Sequence, residues 1–232
     1  MCSRRYYYDG IVLILTLNIN MKVYWLLILV FIVSCGRGKK YHDEKEDVRS
    51  GSPEIAEILE FQKEMNTTFQ DPETSPLPDR FRKDFETLSF FEPNLSYRIE
   101  AKFERTPEAV PFLMSTNTDE KSEEVLYGIA YFVLNGAEHQ LEIYQTPGLL
   151  DQKKYEDYLF LPFLDDTNGV ETYAGGRYID LTIPKGNSIV IDFNKAYNPY
   201  CVYNKKYSCP LVPKQNYLRT HVRAGVKDFK KE

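Results

Sequence analysis

The sequence predicts a mainly β protein: an antiparallel β-sandwich or partly closed barrel of about eight strands, preceded by one or two N-terminal helices. Three observations predict it. Aromatic residues form 14% of the 232-residue chain, including 18 tyrosines and 14 phenylalanines, and such side chains fit a pleated surface. From residue 95 onward, apolar and polar residues alternate with a period of two. Turn signals such as Asn-Gly and Asp-Asp-Thr-Asn-Gly separate the alternating stretches at short intervals, the pattern of an all-β domain. Hydrophobic residues at 43% suffice for one core of ordinary domain size.

The elements follow in order. Ser52, Pro53 and Glu54 supply a cap, a first-turn proline and an acid. Ile55, Ile58, Leu59, Gln62, Met65 and Phe69 then recur at three- and four-residue spacing. An amphipathic helix therefore begins at residue 53 and ends before Asp71-Pro72. The stretch SPLPDRFRKDF continues as a turn and a short helix, with Phe81 and Phe85 four apart. In LSYRIEAKFER the residues Leu95, Tyr97, Ile99, Ala101 and Phe103 share one face, the mark of a strand with one wet side. A short strand is expected over 110–115. EVLYGIAYFVLNGAEHQLEIYQ reads as two strands of a hairpin turning at Asn135-Gly136. Further strands are expected over 159–164, 178–183, 188–193 and 217–224.

Ahead of this domain, residues 21–34 resemble the signal peptide of a bacterial lipoprotein. Lys22 is followed by an apolar run from Val23 to Val33, and Ile32-Val33-Ser34-Cys35 stands where the lipobox belongs. The resemblance implies diacylglycerol on the Cys35 thiol and cleavage before it, with the acyl chains holding the protein to the membrane. The apolar run is too short to cross a bilayer alone, and Asn18, Asn20 and Lys22 interrupt any longer one. The chain thus divides into an upstream extension at 1–20 with Met21 as the true start, a signal peptide at 21–34, a lipidated cysteine with flexible tether at 35–52, and one globular domain at 53–232. The tether is polar, with KKYHDEKED at its centre and no periodicity. The location implied is the bacterial cell envelope, facing the periplasm, with surface exposure also open.

Net charge is −5 for the chain. Residues 1–34 contain Arg4, Arg5 and Lys22 against Asp9, so the remainder stands near −7. Such a surface has no basic field for nucleic acid.

Toward the C-terminus, Asp166, Thr167 and Gly169 precede Thr172, Tyr173, Gly176, Arg177 and Tyr178. Asp192 to Pro199 with Cys201 then lead to Cys209, Pro210 and Pro213, to Asn216 and Leu218, and to Ala224 and Gly225. In these elements the sequence resembles the bacterial family known as domain of unknown function 1684, from about residue 55 to the end. Val226 departs from the glutamate usual there. The resemblance implies no established activity and no cofactor.

The chemistry is therefore read from the residues. Cys201 and Cys209 are spaced too widely for a usual zinc pair; a disulfide, two buried thiols and a metal site stay open. His221 alternates with Arg219 and Arg223, giving either a cationic patch or an exposed polar face. Asp165, Asp166 and Glu171 suggest paired carboxylates, but Asp-Asp-Thr-Asn-Gly is also turn chemistry. Arg177 and Asp192 are read as pointing away from their apolar strand neighbours, forming a fork beside Tyr173, Asn194 and Asn198. That cluster, with Asp166, Thr172 and His221, is the candidate functional or structural network. No metal ligand set is assigned. The expected function is a non-catalytic module binding a small molecule or protein partner; the alternative is an extracytoplasmic hydrolase using Arg177 and Asp192.

Overall fold

The computed structural model describes residues 51–229. The upstream extension, the signal peptide with Cys35, and nearly all of the tether lie outside the described residues. Helix α1 (Pro53–Gln70) starts where its signals stand: the Ser52 hydroxyl accepts the Ile55 N–H at 3.2 Å, with Pro53 in the first turn. It ends at Asp71, whose backbone is extended. Ile58 and Phe69 are buried, whereas Leu59 is 51% exposed, so the buried stripe is narrower than the spacing predicts. A four-residue helix, α2 (Asp79–Arg82), follows.

Eight strands come next: β1 (Arg98–Arg105), β2 (Phe112–Ser115), β3 (Lys121–Leu134), β4 (Ala137–Gln145), β5 (Tyr158–Asp165), β6 (Arg177–Thr182), β7 (Ser188–Asp192) and β8 (Tyr217–Leu218). They form one sheet in the order β6-β5-β4-β3-β1-β7, with β2 added beside β3 and β8 beside β5. Every pairing is antiparallel except β5 with β8. The sheet curls strongly into a half-barrel, bringing its edge strands β6 and β7 near one another. The β3–β4 hairpin turns at Asn135 and Gly136, with φ of 52° and 79°, the double left-handed turn that matches strand twist.

The concave face forms the core. Phe103, Phe132, Leu141, Leu161, Ile179 and Ile191 come from six different strands and are all buried there, with Phe193 closing one end. Each such side chain contributes about 1.5–3 kcal/mol on leaving water. A second cluster joins α1 to the loops: Phe69 meets Tyr203 edge to face at 4.7 Å, and Phe85 packs at 5.6 Å. This anchors α1 over the segment that carries Cys201.

Two details differ from the sequence reading, at Leu95–Tyr97 and after Leu218, and one pairing is unusually short. Leu95 to Tyr97 form a turn of 3-10 helix, not the start of β1, because Asn94 caps it by accepting the Ser96 N–H. Strands β4 and β5 share only the Tyr144–Phe160 pair, and the Asn216 side chain bridges the gap. Its amide accepts the Glu142 N–H at 2.8 Å and donates to the carbonyls of Glu142 and Pro162. Pro162 has no N–H of its own to offer a neighbouring strand. Finally, the expected last strand over 217–224 is only two residues long. Beyond Leu218 the chain bends, the Thr220 N–H donating to the Leu218 carbonyl at 2.8 Å, and Arg177 takes up the later carbonyls in place of a strand partner: Arg177 donates to Val222 O at 2.9 Å, to Ala224 O, and to Val226 O at 3.3 Å.

Candidate functional site

The sequence-derived polar cluster divides into separate groups. Arg177 is fully buried and its Nη2 lies 2.8 Å from Asp165 Oδ2, with the Phe163 ring 5.2 Å from the guanidinium carbon. Burial pulls the guanidinium below its usual value and the Asp165 charge opposes that. Asp165 also accepts the N–H groups of Thr167 and Val222. The fork expected between Arg177 and Asp192 therefore does not form. The period of two puts Arg177 on the same inward face as Ile179 and Leu181, not opposite them.

Asp192 instead caps the next turn, accepting from the Asn194 N–H and side-chain amide at 3.0 and 2.8 Å. Its Oδ2 stands 3.9 Å from Arg98 Nε, facing a polar groove between β6 and β7. Asn194 also holds Asn94, and Asn198 donates to the Lys227 carbonyl and the Tyr203 hydroxyl; both act as buried loop ties. Asp166 accepts from the Tyr217 hydroxyl at 2.5 Å, and the Thr172 hydroxyl pairs with Thr167 at 2.8 Å. Tyr173 sits half-buried, and burial first, then the nearby cysteines, raise its hydroxyl above the usual value. The Asp-Asp-Thr-Asn-Gly stretch is a turn, with Gly169 at φ 81° and Asn168 donating to Thr172 and Tyr173. His221 is exposed, as are Arg219 and Arg223, and Arg223 pairs with Glu171 at 2.9 Å. Arg177, Asp192 and His221 share no cleft.

Cys201 and Cys209 are adjacent free thiols, the Cys201 N–H donating to Cys209 Sγ at 3.2 Å. The Cys201 thiol and that N–H hold the Cys209 thiol down at about 7, whereas Cys201 is pushed up by the same partnership. No cluster of three or more metal-ligating side chains occurs among the described residues.

The strongest site lies on the convex face of the same strand that carries Arg177. Alternation turns Tyr178 and Asp180 outward from β6, and their register partners on β5 include Phe160, opposite Asp180. Tyr158 comes from the start of β5. The loop after β7 folds back so that Tyr197 exchanges both backbone hydrogen bonds with Tyr178 at 2.9 Å. Tyr200, Tyr207 and Cys209 follow on that loop, and α1 adds Phe61 and Met65 from the other side. Together they enclose an open recess of about 520 Å³, within the range of small-molecule sites.

Two carboxyl groups line it. Asp180 Oδ1 accepts the Tyr158 hydroxyl at 2.9 Å and the Tyr197 hydroxyl at 2.5 Å. Among the described residues no hydrogen bond reaches its Oδ2, although the side chain opens to solvent. The crowding of rings raises the Asp180 carboxyl above its usual value, and the two hydroxyls partly offset this. Glu124 on β3 is buried and accepts from Ser122 at 2.7 Å and Thr146 at 2.9 Å. Burial raises it too, against those two hydrogen bonds. Neither carboxyl has an ion-pair partner among the described residues.

Sequence reasoning missed Asp180, Glu124 and the tyrosines around them. Asp180 was legible as the outward residue of β6 once Ile179 and Leu181 were placed inward. What no local pattern gives is that α1, β3, β5, β6 and the cysteine-bearing loop meet over it.

The comparisons agree with this architecture. An uncharacterized protein of Haloarcula marismortui, solved by NMR in solution, is 31% identical over 74% of this chain and 92% of its own, with a TM-score of 0.59. No curated protein matches the chain. Residues 83–227 match the family described as protein of unknown function DUF1684, and by that match the chain belongs to this family.

Proposed function

We propose that the protein is a lipid-anchored module of the bacterial cell envelope that binds a small molecule in the tyrosine-lined recess. One observation carries the binding reading: an aromatic recess of about 520 Å³ presents a carboxylate oxygen of Asp180 that no protein group engages among the described residues. Apolar walls with a few convergent polar groups are the ordinary makeup of ligand sites. The test is an NMR fragment screen on the isotope-labelled protein. Shifts gathered on Tyr158, Tyr178, Tyr197 and Tyr200 are expected; hits that perturb only other surfaces overturn the reading.

Attachment through acyl chains on Cys35 rests on the lipobox-like Ile32 to Cys35. Metabolic labelling with palmitate should mark the wild-type protein and not Cys35→Ala. The adjacency of Cys201 and Cys209 supports a disulfide in an oxidising compartment. Non-reducing mass spectrometry of protein taken from the envelope should find the pair joined, and two free thiols would refute it.

A second reading, an extracytoplasmic hydrolase, has one observation in its favour: crowding lets both Glu124 and Asp180 keep a proton to higher pH than solvated carboxyls do. Arg177 and Asp192 do not serve it, since they lie in different environments. Turnover of chromogenic esters or glycosides that vanishes in both Asp180→Asn and Glu124→Gln would favour hydrolysis over binding alone.

A further inference from the structure

The recess differs from an ordinary apolar pocket in the sign of its charged groups. Its wall contains six tyrosines and two phenylalanines; its only ionisable acids and bases of the carboxylate, lysine, arginine or histidine type are Glu124 and Asp180, both acidic. The rings stand at steep angles to one another. Phe160 meets Tyr178 at 80° and 4.7 Å, Tyr178 meets Tyr197 at 89° and 5.9 Å, and Tyr155 meets Tyr158 at 72° and 5.6 Å. Neighbouring walls at such angles build a box rather than a slot.

Three of the six tyrosine hydroxyls, those of Tyr158, Tyr178 and Tyr197 around Asp180, are already engaged. Tyr158 and Tyr197 donate to Asp180, and Tyr178 donates to the Pro210 carbonyl. Around the remaining Asp180 oxygen the wall therefore offers aromatic ring surface, while Tyr155, Tyr200 and Tyr207 bring hydroxyls with no hydrogen-bond partner among the described residues. Ring faces attract cations through their quadrupole, most strongly where water is excluded. A metal ion is poorly matched, because ring faces cannot replace the oxygen ligands of its hydration shell and two carboxyls alone give too few.

We infer that the recess selects an organic cation, an amine or methylated ammonium group carried on an apolar or aromatic body. The ammonium would sit against Asp180 between the rings of Tyr158, Tyr178 and Tyr197, and the apolar body would extend toward Phe61, Met65 and Tyr200. This inference rests on the recess being a ligand site at all.

Three probes of similar size separate the two statements: benzyltrimethylammonium, the near-isosteric neutral 2-methyl-1-phenylpropan-2-ol, and phenylacetate. Each is titrated into the full chain and followed by amide NMR shifts. Benzyltrimethylammonium is expected to bind at least tenfold more tightly than the alcohol, with phenylacetate weakest and the shifts centred on residues 158, 178, 180 and 197. Asp180→Asn should abolish the preference while leaving the alcohol's affinity within about twofold. Tyr200→Leu, at the surface, should weaken the cation severalfold with the spectrum otherwise unchanged. If the alcohol or phenylacetate perturbs the recess as tightly as the ammonium, the cation class is overturned and the recess remains a ligand site. If no probe perturbs it at millimolar concentration, both fall.

Discussion

Arg177 and Asp180 lie three residues apart on one strand and face opposite sides of the same sheet, and their surroundings could hardly differ more. On the concave side, Arg177 meets Asp165 and three carbonyls of the terminal segment in complete burial. On the convex side, Asp180 is held by two tyrosine hydroxyls on a single oxygen, with no cation beside it among the described residues. A paired, enclosed charge is what a fold uses to tie chain segments together. A carboxyl raised by crowding, open on one side and unpaired, is a group whose environment opposes its own ionisation. The first is structural, and the second is where a ligand has something left to satisfy.

This contrast can be broken from both ends, and the largest effect is expected at Arg177. Replacing it by alanine strands Asp165 and unties residues 222–226, and breaking a buried pair costs about 3–5 kcal/mol. Urea denaturation should show that loss together with early hydrogen exchange in the terminal segment. An unchanged midpoint would mean the pair is not what holds the C-terminus. Asn216→Ala comes next: it leaves the Glu142 N–H and the Pro162 carbonyl without partners, for about 2–4 kcal/mol by the same measurement. Ser52→Ala removes only a helix cap, and a loss of about 1 kcal/mol in the denaturation midpoint is expected.

The smallest effect has the opposite sign. Because the folded Asp180 carboxyl lies above its usual value, the native state binds the proton more readily than the unfolded chain. Stability therefore falls as pH rises from the unfolded carboxylate range through the folded value, and the deficit persists at neutral pH. Asp180→Asn should raise the melting temperature at pH 7, and the gain should vanish below the ordinary aspartate range. Glu124→Gln should behave alike, since burial raises that group as well. A variant less stable than wild type at pH 7 and equal to it in acid would place Asp180 with the structural carboxylates. Stability surrendered at one residue in exchange for a poised group is a recurring property of binding sites.

Much of the fold was readable because it rests on local periods. Ser52-Pro53 fixed the start of α1, Asn135-Gly136 fixed the hairpin turn, and the two-residue alternation around Ile179 and Ile191 located β6 and β7. The same alternation at 218–224 suggested a longer last strand, since Leu218, Val222 and Ala224 are indeed buried and Arg219, His221 and Arg223 exposed. It failed as a strand because alternation reports which side chains face inward, not whether a neighbouring backbone is present to bond. Here a guanidinium takes that place. The spacing of Cys201 and Cys209 left their pairing open, and the position of Cys209 on the wall of the recess was not legible at all.

The sequence by itself determined the β class, the helix at its head and the hairpin, because these follow from residues a few positions apart. Which polar groups meet was left to the tertiary structure. Arg177 chose Asp165 over Asp192 because it faces inward with the end of β5 paired directly alongside, whereas Asp192 follows the inward Ile191 by one residue and so turns the other way. Asp180 became a site only when α1 and the loop after β7 closed over it, bringing residues 61, 124, 158, 180, 197 and 209 around one space. Their separation along the chain lies far outside the reach of any local pattern, and only packing brings them together.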